Sequence, residues 1–493
     1  MEKTHDLFTS RFGLVAATIG MAVGAGNIWR FPRLAGQYGG SFLLPWFLFL
    51  FIWSIPLLIV EFAIGRKTRL GPIGAFWKID RRFTWMGWFV AFCTSAILFY
   101  YAVVCGWSLK YFTLSVGNRI FHIDQQAFWQ TFTHGNPEVL LYLFLSVAFG
   151  VFIIYRGIGS GVEKFSKIIV PLLFVLLAVA ALRAVTLPGA QTGLRYFWKI
   201  EPAKLLDHRL WLDALSQSAW STGAGWGLLL TYAIYARNRE NAVGNSFLTG
   251  IGNNLASLFA GLAVIPTVFA LTPDFNAAMN TLQAGNQGLA FIALPKLFAR
   301  MPAGLFFVSV FFLALFLAAM SSLISMLELA TRVLIDFGLS RKKAVLRIGA
   351  VTFLLGIPSA LSLSFFDNQD WVWGLGLLLS GFFFIFIVNR IGPETFFKQW
   401  IMRTRVKKRS LVFFKILFRF LMPLQFVLML GWWFFQSTQW NPKTWWEPFR
   451  TFSLGTVLLQ WLLVIAIGFV AAGWFNRLLK RQQETTKVSH EIR

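Results

Sequence analysis

Three glycines and two polar side chains interrupt the first long apolar run of this chain, between Gly20 and Pro32. Glycine inside a helix costs roughly 1 kcal/mol relative to alanine, and the embedded Asn27 and Arg30 need partners in an apolar span. A helix broken here would free carbonyl groups to bind cations, and the dipole of its second half would favour an anion near Gly26. The first two glycines are also spaced as in the small-xxx-small pattern, so helix packing is the alternative interpretation.

Another apolar run, five spans further along the chain, carries a matching interruption. It lies at Trp220–Gly227, where three glycines occupy alternate positions. Two corresponding broken helices in the two halves of a chain indicate an inverted-repeat transporter with its binding site near the middle of the membrane. Because five is odd, the second unit would enter the membrane from the opposite side.

A small group of polar atoms is predicted on the eighth span. Ala318, Ser321 and Ser322 stand at positions i, i+3 and i+4 and therefore share one helix face. One carbonyl and two hydroxyl groups without a carboxylate suit a hard monovalent cation such as sodium. The alternative is that these serines bond back to their own helix or join two helices.

The composition is that of a polytopic membrane protein, since 57% of the 493 residues are hydrophobic and only 13% are charged. Apolar runs near the roughly 20 residues needed to cross a bilayer recur along the chain. The sequence therefore predicts an all-α membrane protein with about twelve transmembrane helices. The predicted divisions are an N-terminal tail (1–10), a first repeat with spans 1–5 (11–200), a second repeat with spans 6–10 (201–400) and a lid at about 272–302, spans 11 and 12 (401–480), and a C-terminal tail (481–493).

The basic residues behind the formal net charge of +25 cluster in alternate loops. Clusters of Lys and Arg within 66–82, 341–347, 398–409 and 477–487 follow spans 2, 8, 10 and 12. This positive-inside pattern predicts a multi-pass protein of the inner or plasma membrane with both termini in the cytoplasm. Membrane lipid headgroups are sufficient partners for these charges, so we expect no nucleic-acid partner. The intervening loops are poorer in basic residues, with three exceptions between spans 5 and 6: Arg195, Lys199 and Lys204.

A series of short motifs runs through the chain in order. The motifs are Gly24-Ala-Gly-Asn-Ile-Trp-Arg-Phe-Pro32, Gly39-Gly40, Ile55-Pro56, Glu61, Gly65-Arg66, Tyr100-Tyr101, Trp107, Gln217, Ser221-x-Gly223-x-Gly225, Asn253 and Ser321-Ser322. Together, over about residues 8–475, they resemble the neurotransmitter:sodium symporter family. The resemblance implies the LeuT-type fold, a 5+5 inverted repeat with broken helices 1 and 6. It also implies sodium-coupled symport by alternating access.

The resemblance implies two sodium sites as well. The first would be formed by the substrate carboxylate together with Ala22, Asn27, Ser221 and Asn253. The second would combine carbonyl groups and serine hydroxyls of Gly20, Val23, Ala318, Ser321 and Ser322.

By the same resemblance, the substrate would lie between the two breaks. The substrate-binding residues would be Ala22, Gly24, Ala25, Gly26, Ile97, Tyr101, Trp220, Ser221, Gly223, Trp226, Ser322 and Met326. Family members that carry monoamines have an Asp where this chain has Gly24, so we predict neutral L-amino acids as substrates. Trp220 and Trp226 shrink the pocket whereas Gly223 enlarges it, and small or medium side chains are expected.

Gates and a chloride site follow from the same comparison of motifs. Arg30 and Asp370 match the outer ion pair of the family, and Asp336 matches half of the inner gate. His5 replaces the usual Arg of that inner gate, which makes it weaker or pH-sensitive if His5 is not simply a solvated tail residue. Chloride stimulation is predicted from a candidate anion site formed by Trp46, Gln217, Ser221, Asn253 and Ser257.

Two other functions fit the sequence less well. A proton-coupled amino acid transporter of the same fold is the nearer alternative. A membrane-embedded lipid-modifying enzyme would need converging acids, bases or nucleophiles, yet every histidine lies in a predicted tail or loop: His5, His122, His134, His208 and His490. We therefore expect a transporter rather than an enzyme, as a monomer or a loose dimer.

Overall fold

The computed structural model describes residues 7–401 and 408–491, with side chains up to residue 484. Helices account for the secondary structure of this part, beside one isolated bridge between His134 and Ser362. The α-helices are α1 (Arg11–Ala22), α2 (Ala25–Ile28), α3 (Arg30–Tyr38), α4 (Leu43–Phe49), α5 (Ile55–Thr68), α6 (Pro72–Ile79), α7 (Thr84–Val116), α8 (Gln125–Thr133), α9 (Glu138–Tyr155), α10 (Lys164–Val185), α11 (Ala190–Trp198), α12 (His208–Ser221), α13 (Leu228–Ile234), α14 (Ala242–Leu271), α15 (Phe275–Leu282), α16 (Gly285–Gln287), α17 (Leu294–Phe298), α18 (Gly304–Asp336), α19 (Arg341–Leu361), α20 (Leu363–Ile391), α21 (Pro393–Phe396), α22 (Lys408–Ile416), α23 (Met422–Trp440) and α24 (Leu454–Glu491).

Ten stretches in the described residues are long and apolar enough to cross a membrane. One of them, 25–68, joins the second half of the first span to the whole of the second span. The sixth span is divided between α12 and α13, which are too short to be counted singly. Dividing 25–68 between the first and second spans and adding the sixth span raises the number from ten to twelve. This number agrees with the predicted fold class.

The first helix is broken at Val23 and Gly24, where the backbone becomes extended. The side chain of Asn27 stabilises the break, because its Oδ1 accepts a hydrogen bond from Gly24 N at 2.9 Å. This contact satisfies one of the N–H groups that a helix start leaves without a partner. Gly20 remains inside α1, so the unwound part is shorter than the glycine-rich stretch.

The sixth span is broken between α12 and α13. Gly223, Gly225 and Gly227 have φ values of +69°, +88° and +77° there, which glycine adopts without strain. Glu61 of α5 is fully buried, and its carboxylate accepts hydrogen bonds from Gly225 N at 2.6 Å and from Leu230 N at 3.3 Å. A carboxylate from the first half of the chain therefore stabilises the break in the second half.

Both broken helices lie inside the helical assembly. Helix α1 contacts α10, α14 and α18, and α13 packs against α5 and α18. Long helices α7 and α18 pack along each other beside them. The breaks are thus surrounded by protein rather than lipid, a setting in which free backbone groups are tolerated at membrane depth.

The segment predicted as a lid forms packed helices, including α15 and α17. Its Asn286 accepts a hydrogen bond from Arg33 Nε of α3 at 2.8 Å. The next residue, Gln287, donates through Nε2 to Asp367 Oδ1 of α20 at 3.4 Å. Two neighbouring side chains thus connect this segment to α3 and to α20. We call the end of the molecule that carries the segment 272–302 the lid side.

Candidate functional site

A cavity of about 120 Å³ lies between the two breaks. Eleven of the twelve predicted substrate residues line it: Ala22, Gly24, Gly26, Ile97, Tyr101, Trp220, Ser221, Gly223, Trp226, Ser322 and Met326. Ala25 does not line it, but its N–H donates to Tyr101 Oη at 3.0 Å. Asn27, Gln217, Arg30 and Asp370 also line the cavity. Residues predicted from segments far apart in the chain therefore converge on one space.

The four residues of the first predicted sodium site meet beside this cavity. Asn27 Nδ2 donates to Asn253 Oδ1 at 2.8 Å. The same Oδ1 faces Ala22 O at 3.1 Å and Ser221 O at 2.9 Å. Three oxygen atoms from neutral groups thus gather at one buried point.

In the turned orientation, the Asn253 amide nitrogen donates to Ala22 O at 3.1 Å and to Ser221 O at 2.9 Å, so the amide itself can satisfy both carbonyls. Turning the Asn253 amide would place its nitrogen against Asn27 Nδ2 at 2.8 Å, with two donors facing each other. The orientation of Asn27 is itself fixed, because its Oδ1 accepts from Gly24 N. In the orientation that keeps the bond from Asn27, the three oxygens would suit a monovalent cation, since neutral oxygen ligands are typical for hard cations. Asn27, predicted as a ligand through its side chain, presents Nδ2 rather than an oxygen to this point.

The residues of the second predicted sodium site also lie together. Ser321 Oγ donates to Val23 O at 3.2 Å and to Ala318 O at 2.9 Å. Ser322 Oγ lies 3.4 Å from Val23 O, and a Cβ added to Gly20 would lie 3.4 Å from Ser321 Cβ. Ser321 therefore bonds to its own helix and to the broken one, whereas Ser322 bonds to the broken helix, at Met21 O and Val23 O. The packing interpretation and the ion-site interpretation describe the same contacts.

Gly24 has no room for a side chain. An added Cβ would lie 2.8 Å from Tyr101 Oη and 2.9 Å from Ser322 Oγ. A carboxylate on the protein at this position would require both hydroxyl groups to move. Position 24 itself therefore supplies no negative charge to the cavity, and the carboxylate among the lining residues is that of Asp370.

The predicted outer gate residues share the cavity without pairing. Both residues line it, but Arg30 and Asp370 form no ion pair in the part of the chain that the structure describes. Instead the guanidinium carbon of Arg30 lies 3.9 Å from the ring centroid of Trp220, and Nη2 donates to Ser216 Oγ at 2.9 Å. Arg30 Nη1 is buried without a hydrogen-bond partner among the described residues. A free donor therefore remains on Arg30 at the edge of the cavity.

At the opposite end, Asp336 pairs with Arg332 of its own helix at 2.8 Å. Its Oδ2 also accepts a hydrogen bond from Gly71 N at 2.6 Å. His5, the predicted partner, lies outside the described residues. Nearby, Phe8 is buried and its N–H donates to Tyr235 O at 3.1 Å, so the start of the described chain packs under the second half of the sixth span.

The predicted chloride residues are only partly connected. Ser257 Oγ accepts from Asn27 Nδ2 at 2.8 Å, and Ser221 Oγ accepts from Asn253 Nδ2 at 2.9 Å. Gln217 is buried, and neither of its amide atoms has a hydrogen-bond partner within the part of the chain that the structure describes. The indole nitrogen of Trp46 is likewise unpartnered there. Other buried indole nitrogens, such as those of Trp53 and Trp107, are unpartnered in the same way, whereas Gln217 stands out because both of its amide atoms are.

Sequence reasoning missed several residues that line the cavity. They include Tyr100, Val104, Asn286, Gln287 and Phe366. Tyr100 belongs to the Tyr100-Tyr101 motif, from which only Tyr101 was predicted to bind substrate. Asn286 and Phe366 are brought to the cavity by packing of the lid and α20, and a single sequence carries no local signal for such contacts.

The fold and the cavity together define a secondary transporter of the broken-helix class. The chain belongs to the sodium:neurotransmitter symporter family, whose sequence model matches residues 5–132 and 129–478. It is therefore a multi-pass membrane protein of a sodium-dependent transporter family, whose members are not enzymes.

Relatives and a solved structure agree with this assignment. The chain is 33% identical over 364 residues to an uncharacterized sodium-dependent transporter of Methanocaldococcus jannaschii, covering 71% of this chain and 74% of that protein. It is 29% identical over 448 residues to the uncharacterized sodium-dependent transporter YhdH of Bacillus subtilis, covering 86% and 96%. The crystal structure of MhsT in complex with L-phenylalanine is similar with a TM-score of 0.77 and 28% identity, covering 87% of this chain and 99% of that chain.

The hydroxyl of Tyr101 provides a first test of the cavity. We expect Tyr101→Phe to raise the KM for substrate about tenfold, since it removes the hydroxyl expected to bond the substrate carboxylate, a hydrogen bond worth about 1.4 kcal/mol. Sodium dependence should persist. Tyr111→Phe is the matched control, because Tyr111 lies on the same helix and its hydroxyl has no partner among the described residues. Equal KM values for the two variants would contradict the role of Tyr101.

Proposed function

We propose that this protein carries neutral L-amino acids of small or medium size into the cell together with two sodium ions, by alternating access. The observation that supports the proposal best is the oxygen cluster, in which Ala22 O and Ser221 O, one at each helix break, lie 3.1 Å and 2.9 Å from the same side-chain amide atom of Asn253. Ala22 and Ser221 line the cavity, and Gly24 beside them carries no carboxylate, so a ligand carboxylate would be the acidic group next to this cluster. An amino acid bound in MhsT is consistent with the same class of substrate.

Coupling follows from shared contacts. A sodium ion at the oxygen cluster would touch the substrate carboxylate, while Tyr101 Oη and the N–H of Gly26 bind the carboxylate from the other side. Each ligand would then raise the affinity of the other by the same factor, because binding linkage is reciprocal. The second ion, between Val23 O and the two serines of α18, would hold α1 against α18.

Access would alternate between the two ends of the molecule. We assign the lid side to the outside and both termini to the cytoplasm, in agreement with the distribution of basic residues. Arg30 stacked on Trp220 covers the cavity on the lid side, with Asp370 as the second charged group there. On the other side, Asp336 with its contacts to Gly71 and Arg332 helps to hold the cytoplasmic loops together, and the proposed pairing with His5 would add to it.

Chloride is part of the proposal as a stimulating ion. The unpartnered amide of buried Gln217 supports it, because an amide N–H₂ group can donate hydrogen bonds to an anion. Ser257 supplies a neutral hydroxyl beside Asn27, where a fixed carboxylate would repel an anion.

Uptake into proteoliposomes tests these statements separately. A panel of labelled amino acids is offered with sodium and chloride varied independently and with no pH gradient. We expect accumulation of at least one neutral amino acid only when external sodium exceeds internal sodium, and a higher rate in chloride than in gluconate. Uptake driven by a pH gradient without sodium would instead identify a proton-coupled transporter. Unchanged uptake in gluconate would contradict the chloride part alone.

A further inference from the structure

The three basic residues that depart from the positive-inside pattern meet at one pocket on the lid side. A cavity of about 410 Å³ lies between α11, the segment that follows it and lid helix α15, and Arg195, Lys199, Lys204 and Glu201 line it. Lys204 Nζ lies 3.5 Å from one Glu201 oxygen, and Lys199 Nζ lies 3.9 Å from the other. The carboxylate of Glu201 thus forms ion pairs with two ammonium groups.

The pocket therefore carries an excess of two positive charges. The guanidinium of Arg195 makes no side-chain hydrogen bond or ion pair within the described residues. Neutral side chains, among them Tyr196 and Phe275, complete the lining. Basic groups gathered around one concave space attract an anion, and guanidinium and ammonium groups together are typical of phosphate sites.

The surface beside this pocket is apolar. Trp198 is 54% exposed, Ile200 48% and Leu206 87%, and Phe275 at the edge of the pocket is 51% exposed. Exposed apolar side chains of this size next to a Trp and several basic residues fit the interface of a bilayer, where indole rings lie at headgroup level and long basic side chains reach the phosphates.

We propose that this pocket binds the phosphate group of an anionic phospholipid in the leaflet on the lid side. Arg195, Lys199 and Lys204 hold the phosphate, and the acyl chains lie against Trp198, Ile200 and Leu206. The proposal commits to a lipid rather than a free anion, because the charge and the exposed apolar surface are adjacent.

The pocket is connected to the moving parts of the proposed transporter. Tyr196 Oη donates to Gly36 O of α3 at 2.8 Å, and Met279 of α15 lines the same pocket. A bound lipid therefore holds α11 and its following segment against the outer half of the broken first helix and against the lid. Binding itself needs no substrate, so its test is independent of the proposed function.

The test measures lipid-dependent thermal stability of the purified full chain in detergent. Dihexanoyl-phosphatidylglycerol is titrated against wild type and against the triple variant Arg195→Gln, Lys199→Gln, Lys204→Gln. We expect a saturable rise in Tm for wild type and a half-saturating concentration on the order of 100-fold higher for the triple variant, from three basic groups near a headgroup. The matched control removes three exposed basic residues elsewhere on the lid side: Arg119→Gln, Lys296→Gln and Arg300→Gln.

Three results would overturn the proposal. The first is an equal shift with dihexanoyl-phosphatidylcholine, and the second is an equal shift with inorganic phosphate at the same concentration, which would indicate a free-anion site. The third is an equal loss of affinity in the control triple variant. If the triple variant does not fold, the single Arg195→Gln variant replaces it, with about a fivefold weaker response expected.

Discussion

Asn27→Ala is expected to weaken sodium binding on the order of 100-fold and to abolish sodium-stimulated uptake. The side chain of Asn27 makes two kinds of contact at the break of the first helix. Its Oδ1 accepts from Gly24 N, and its Nδ2 donates to Asn253 Oδ1. Losing them leaves buried groups without partners, at a cost of roughly 1–3 kcal/mol each, and a total of about 3 kcal/mol corresponds to this change in affinity.

Sodium titration of substrate binding measures the effect, with Asn245→Ala as the matched control. Asn245 is a buried asparagine of α14, like Asn253, but it lies about two turns nearer to the start of the helix and bonds to Glu240. Asn27→Asp should retain part of the sodium response, because it keeps the acceptor for Gly24 N. Normal sodium dependence in Asn27→Ala would refute the assignment of the first ion site.

Gly225→Ala is expected to lower the free energy of unfolding by about 3 kcal/mol. Gly225 has a φ of +88°, which costs an alanine roughly 1–2 kcal/mol. Its added Cβ would lie 2.7 Å from the Cα of Gly381, and backbone cannot move aside as a side chain does, so overpacking adds roughly 1–3 kcal/mol. Thermal unfolding of the purified variant, followed by loss of monodisperse protein, gives the measurement.

Gly285→Ala separates the two causes. Gly285 has a similar φ of +81°, but nothing lies within 4 Å of its added Cβ. This variant should therefore lose only the 1–2 kcal/mol of backbone strain. Equal stabilities of the two variants would show that the close approach of α20 to the break does not limit position 225.

The breaks of both helices could be predicted from the sequence because their cause is local. Glycine clusters weaken a helix wherever they occur, and the structure places the breaks at Val23–Gly24 and between α12 and α13. The shared face of Ser321 and Ser322 likewise follows from helix periodicity alone. Both serines reach Val23 O, as expected for that face.

The remaining contacts depend on how distant segments pack. The resemblance to the family pairs Arg30 with Asp370, whereas the structure stacks Arg30 on Trp220 and bonds it to Ser216. The spacing of residues in the sequence does not predict these contacts. The bridge from the lid to α3 and α20 through Asn286 and Gln287 requires a third element in place. No period or motif marks these residues.

At both breaks, side chains from one half of the chain bond to residues of the other half, and this has a consequence for biosynthesis. Glu61 stabilises a break that begins some 160 residues later in the chain, where it accepts from Gly225 N, and Asn27 bonds to Asn253, 226 residues away. When the first five spans leave the ribosome, their buried carboxylate and amide have not yet met these partners. We therefore expect the first half to remain incompletely folded in the bilayer until α14 has been inserted, and the two halves to mature together.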